Sequence, residues 1–113
     1  MNAATNSAIA RDASIADRHV AAARRVIAWA TEHHMARNWA GYVSQGRASI
    51  PPFMPNQREK EAALRDAARR TRSHSLRAIR EARRAPGARA PGDALYEAGR
   101  ALAYAERYAA LVG

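Results

Sequence analysis

The sequence lacks cysteine, which excludes a disulfide framework and any thiolate acting as a nucleophile or a metal ligand. It also lacks a basic segment followed by an apolar run near its start, so we expect no signal peptide. The longest run of large apolar residues, around 26–30, is far too short to cross a bilayer. We therefore expect a cytoplasmic protein that does not enter a membrane.

Large aliphatic side chains are scarce, because Leu, Ile, Val and Phe together number only 15 of the 113 residues. Combined with a net charge of +9, this composition is typical of disordered chains. The 30 alanines change the interpretation, since alanine is the best helix former and lets helices approach closely. The sequence therefore predicts one all-α domain with a thin core, stabilised as a homo-oligomer or as a subunit of a complex.

Hydrophobic periodicity predicts a small bundle of three principal helices, at about 7–38, 56–84 and 93–112. Residues 1–6 are small and polar and are expected to fray. Residues 85–92 belong to a short tandem repeat, RAPGA then RAPGD, in which each proline disfavours helix at the residue before it. This segment is predicted to be a linker.

The last helix is apolar on two sides, with Leu95 and Leu102 on one and Tyr104 and Tyr108 broadly on the other. Such a helix is either central to a bundle or buried by a second chain. Gly99 adds a small residue where another backbone could approach closely. The second alternative makes Tyr104 and Tyr108 candidate partner-binding residues.

Residues 38–55 separate the first two helices and are rich in glycine, proline and aromatic residues. Gly41, Gly46 and three prolines are expected to prevent a helix and leave an irregular loop, or at most a short hairpin. The large side chains here either cap the helical core or contact a partner, since Trp, Tyr and Arg are enriched at interfaces. The candidates for partner contact are Trp39, Tyr42, Arg47 and Phe53.

The predicted helix at 56–84 carries most of the positive charge. Asn56 is expected to cap its first turn with Glu59 three residues on, and 71–75 is a weak point where it could kink or divide. One arc is apolar or small, and the other is basic. The candidate anion-binding residues are Arg65, Arg69, Arg70, Arg72, Arg77, Arg80, Arg83 and Arg84. They form either a solvated surface or an electrostatic footprint for phosphate or an acidic protein surface.

Catalytic and metal-binding motifs are not apparent. His19 and His33 lie four helical turns apart, about 21 Å, which excludes a shared metal. The sequence contains no glycine-rich phosphate loop and no local catalytic signature. A helix-turn-helix would need a turn at 71–75. We expect a non-enzymatic protein without cofactor or metal.

The favoured function is binding of nucleic acid, through contacts between the basic helix and phosphates. The alternative is a small protein–protein interaction module, such as an inhibitor, an immunity protein or an accessory protein of a mobile element. That module would bind a larger protein or nucleoprotein complex through its aromatic residues. The sequence alone does not distinguish DNA, RNA and protein as the partner.

Overall fold

The computed structural model describes residues 3–33, 39–52, 56–84 and 92–112. Within these ranges every regular element is helical, which confirms the all-α prediction. The elements are α1 (Ala3–His33), α2 (Trp39–Ala48), a 3-10 turn (Gln57–Glu59), α3 (Lys60–Arg84) and α4 (Gly92–Val112). The described residues therefore contain four α-helices, where three were predicted.

Consecutive helices run in opposite directions, and α4 lies at the centre. Ala16 of α1 packs beside Leu64 at the start of α3, and Ala23 beside Ala78 further along, so α1 and α3 are parallel. Tyr108, near the end of α4, joins the cluster of Ala16 and Leu64, so α4 is antiparallel to both. The helix α2 packs almost wholly on α4.

The boundaries of α1 differ from the prediction at its start. Residues 3–6 are helical, although 1–6 were expected to fray. Alanines at 3 and 4 favour helix, and no Gly or Pro interrupts the segment. Residues 34–38 of the predicted first helix and 85–91 of the predicted linker at 85–92 lie outside the described residues, and Gly92, the last residue of that linker, begins α4.

The predicted loop at 38–55 is wrong over 39–48, where α2 forms. Gly46 does not break this helix because it is the contact point with α4: a Cβ there would clash with the backbone carbonyl of Tyr96. Gly99 of α4 plays the same part, since its Cβ would clash with the carbonyl of Val43. The two glycines let the backbones meet closely, and that packing offsets the low helix propensity of glycine.

The helix α3 is continuous across its predicted weak point. Its start is capped as expected, with the backbone N–H of Glu59 donating to the side-chain oxygen of Asn56 at 3.1 Å. Ser75 is fully buried and donates to the carbonyl of His19 in α1 at 3.0 Å. Thr71 donates to the carbonyl of Ala67 at 2.8 Å. Poor helix formers therefore occur at 71–75 because their polar atoms are satisfied within the packed helices, and no turn divides α3.

The two-sided apolar pattern of α4 is explained by its central position. Leu95 is buried beside Ala30 and Val43, so α1 and α2 cover that side. Tyr104 and Tyr108 are each only 5% exposed. These two rings were expected to contact a partner, and the chain's own helices bury them. Burial of α4 requires no second chain.

Within the described residues, no helix is both long enough and apolar enough to cross a bilayer.

Candidate nucleic-acid interface

A row of exposed arginines follows one edge of α3, beside α1. Their spacing of 4, 3, 8 and 3 residues keeps them on one face of a helix. We call them the arginine row: Arg65, Arg69, Arg72, Arg80 and Arg83. From first to last they extend about 27 Å along the helix axis, at 1.5 Å per residue. Leu76, 43% exposed, occupies the gap in the middle.

Most of the arginine row has no acidic partner. Arg69 alone forms an ion pair, with Asp66 at 3.0 Å. Across the part of the chain that the structure describes, Arg65, Arg72, Arg80 and Arg83 take part in no ion pair. No ion pair among the described residues offsets the positive charge of Arg65, Arg72 and Arg83. Arg80 also lines a depression that it shares with three carboxylates.

The other three predicted arginines lie on the side of α3 nearer α4, among carboxylates. Arg70 binds Asp66 at 2.9 Å, and this hydrogen bond raises the pKa of Arg70. Arg84 lies 3.5 Å from Glu81. Arg77 lines a polar depression of about 440 Å³ in which acidic groups outnumber basic ones. Its lining residues are Arg77, Arg80, Glu81, Asp93, Tyr96 and Glu97. This side of α3 is therefore a poor site for an anion.

Two arginines of α1 extend the basic surface beyond α3. Arg18 and Arg25 are exposed and lie two turns apart on one face of α1. Burial, and then the nearby charges of Arg18 and Arg72, lowers the pKa of His19, so both guanidinium groups lie near this ring. The parallel packing of α1 and α3 therefore brings basic residues from both helices to one surface.

A groove between α1 and α3 borders the arginine row. It has a volume of about 330 Å³, and most of its lining is apolar. Arg25 and Arg83 contribute one charged side chain from each helix. The lining residues are Ala22, Arg25, Val26, Trp29, Ile79, Ala82 and Arg83. This groove was not predicted from the sequence. The available signal was the spacing of Arg18, Arg25 and Trp29, which places them on one face of the first helix.

A polar cluster inside the bundle joins α3 to α4 rather than forming a site. His74 Nδ1 lies 2.6 Å from Glu97 Oε2, and the ring stacks on Tyr104 with centroids 5.4 Å apart. Burial lowers the pKa of His74, and the contact with Glu97 opposes that shift only in part. Glu97 also binds Arg100 at 3.4 Å. Among the described residues, no three His, Asp or Glu side chains are placed to hold a metal.

Of the loop residues predicted for protein contact, the structure describes the side chains of Tyr42 and Arg47 only, and both contact other parts of this chain. Tyr42 is half-buried against the cluster of Ala30, Val43 and Leu95. Arg47 forms an ion pair with Glu106 of α4. The side chain of Trp39 and all of Phe53 lie outside the described residues.

Comparisons of this chain with protein-family models, with curated proteins and with solved structures found no match. The candidate site therefore depends on geometry and charge alone.

Proposed function

We propose that this protein binds nucleic acid through the phosphates, using the arginine row of α3 and the neighbouring Arg18 and Arg25 of α1. The observation that carries the proposal is a set of four exposed arginines on α3 that form no ion pair with any residue the structure describes. Arginine suits this role because its planar guanidinium donates two parallel hydrogen bonds to phosphate oxygens.

Binding of this kind depends strongly on salt, because each phosphate contact releases a condensed counterion. It also positions the protein on a strand without reading its sequence. We therefore expect similar affinity for oligonucleotides of different sequence at equal length. The net charge of +9 adds long-range attraction that increases the association rate at low salt.

The test compares two triple variants that remove the same charge. The first replaces Arg65, Arg72 and Arg80 with Gln, and the second replaces Arg47, Arg70 and Arg84 with Gln. In the described part of the chain the first set forms no ion pair, whereas each arginine of the second set is ion-paired. The measurement is oligonucleotide binding across a series of salt concentrations, by fluorescence anisotropy.

We expect the first variant to reduce the log–log salt slope by about 2 to 3, at about 0.7 to 0.9 per lost phosphate contact. The second variant should reduce the salt slope much less, although both variants carry the same net charge. An equal reduction of the salt slope in both variants would show that only net charge matters and that the arginine row is not the interface. If the native chain binds no nucleic acid, and the first variant instead loses affinity for an acidic protein, the protein-interaction module would be favoured.

A further inference from the structure

The groove between α1 and α3 combines two chemical properties that the arginine row alone does not have. Its floor is formed by Ala22, Val26, Ile79 and Ala82, and Trp29 adds an indole ring. Arg25 and Arg83 line the same space. A volume of about 330 Å³ lies at the lower end of the range for ligand sites, about 300 to 1,000 Å³. The groove therefore suits a small apolar or aromatic group that is attached to a negative charge.

The charge of the groove is continuous with the proposed phosphate surface. Arg83 belongs both to the groove and to the arginine row, and Arg80 lies one turn before it on α3. A strand whose phosphates follow the row would pass directly along the mouth of the groove. Charge complementarity and this continuity favour a nucleic-acid strand over an unrelated anionic molecule as the occupant.

We propose that the partner is single-stranded nucleic acid, and that one unpaired base enters the α1–α3 groove beside Trp29 while its flanking phosphates contact Arg25 and Arg83. This inference rests on the function proposed above and specifies its partner. Every base has an aromatic face that can stack on an indole, so such a site tolerates different sequences. In a duplex the bases are paired and stacked, so their faces cannot enter the groove, although their edges remain accessible in the grooves of the duplex. Single strands are therefore bound more tightly than duplexes.

The first test fills the groove without changing its charge. Ala82→Leu adds a larger side chain at a half-buried position that lines the groove. Ala62→Leu is the matched control, because Ala62 is an exposed alanine of the same helix outside the groove. Circular dichroism and thermal unfolding check that both variants fold. Binding is measured for a mixed-sequence single strand and for a duplex of the same length.

Ala82→Leu should weaken single-strand binding by about 5- to 150-fold, the loss that corresponds to one stacked base. Duplex binding should change less than twofold, and Ala62→Leu should change neither. If Ala82→Leu leaves single-strand binding unchanged while the arginine variant still reduces the salt slope, base insertion is wrong and the phosphate-binding function stands. If the native chain binds no nucleic acid, both phosphate binding and base insertion are wrong. Binding of a fatty acid such as oleate in the groove, without nucleic-acid binding, would be one such result.

The second test observes Trp29 directly. The Trp39→Phe variant leaves Trp29 as the only tryptophan, so its fluorescence reports on the groove. A single-stranded oligonucleotide should quench this fluorescence, whereas inorganic polyphosphate, which carries the same type of charge without bases, should bind without quenching it. Equal quenching by both anions, or by neither, would overturn base insertion.

Discussion

His19 and His74 are buried in the bundle, at 8% and 6% exposure, and the pKa of each ring is lowered, which favours the neutral form at neutral pH. Burial is the main cause of the lowered pKa of each ring. Within the described residues, Nε2 of His19 has no hydrogen-bond partner. The arginines near His19 add a second reason against protonation, because its ring would become a cation beside Arg18 and Arg72.

The lowered pKa values predict that the protein loses stability in mild acid. The unfolded chain takes up protons on these rings near pH 6.5, the ordinary value for histidine, whereas the folded chain does so only at lower pH. The unfolded state therefore binds more protons below pH 6.5, and the free energy of unfolding falls as the pH decreases. Above about pH 7 these two histidines should not change the free energy of unfolding with pH. Urea unfolding at pH 7.5, 6.5 and 5.5 measures the effect.

His19→Leu provides a variant for the same measurement. Replacing an imidazole that lacks one hydrogen-bond partner with an apolar side chain should change the free energy of unfolding little at pH 7.5. The decrease in that free energy between pH 7.5 and 5.5 should be smaller than in the native chain. A native chain that is equally stable at pH 5.5 and 7.5 would contradict the assignment of two neutral histidines.

At the scale of the element, the contact between α2 and α4 depends on a pair of glycines. Gly99→Ala places a Cβ against the carbonyl of Val43, so the helices must separate or the backbone must shift. We expect a loss of about 1 to 3 kcal/mol in the free energy of unfolding, the usual cost of overpacking. Gly41→Ala is the control, since Gly41 is exposed in α2 and alanine there should be neutral or stabilising. A stabilising Gly99→Ala would show that the two backbones are not in close contact.

The buried and exposed sides of α3 could be predicted because its apolar and basic residues recur at regular helical spacing along the whole helix. The predicted apolar arc from Leu64 to Ala82 is buried or half-buried, and the arginine row is exposed. The helix α2 could not be predicted, because glycine lowers helix propensity and only the partner backbone at Tyr96 shows why Gly46 is there.

The groove could not be predicted either. It exists because α1 and α3 are parallel, and sequence periodicity shows which face of a helix is apolar but not which helices meet. Trp29 and Arg83 are 54 positions apart in the sequence, and the packing of the two helices brings them to one site.

At the scale of the whole molecule, the core is thin and α4 holds it together. The largest side chains with less than 2% exposure are Leu95, Thr71 and Ser75, so alanine fills much of the remaining interior. Tyr104 is the central exception, because His74 stacks on its ring and the guanidinium of Arg107 lies 5.0 Å from its centroid. A small number of large side chains therefore carries much of the packing.

Tyr104→Asp should unfold the chain or leave it only marginally stable. Loss of a buried aromatic ring costs about 3 to 5 kcal/mol, and the new carboxylate must also be buried. Ala109→Asp, at an exposed position of the same helix, should cost less than about 1 kcal/mol. Denaturant unfolding measures both variants. Unchanged stability of Tyr104→Asp, with loss of a dimer instead, would show that the ring lies between chains.

The central claim is that unpaired arginines on one surface bind the phosphates of a nucleic-acid strand. The most direct test is the affinity of the native chain for a mixed-sequence single strand, measured from low to physiological salt. Engagement of Arg65, Arg72, Arg80 and Arg83 predicts a log–log slope of about −3 or steeper, at about 0.7 per phosphate contact. A slope near zero, or no binding at low salt, would contradict the claim and leave the arginine row as solvated surface.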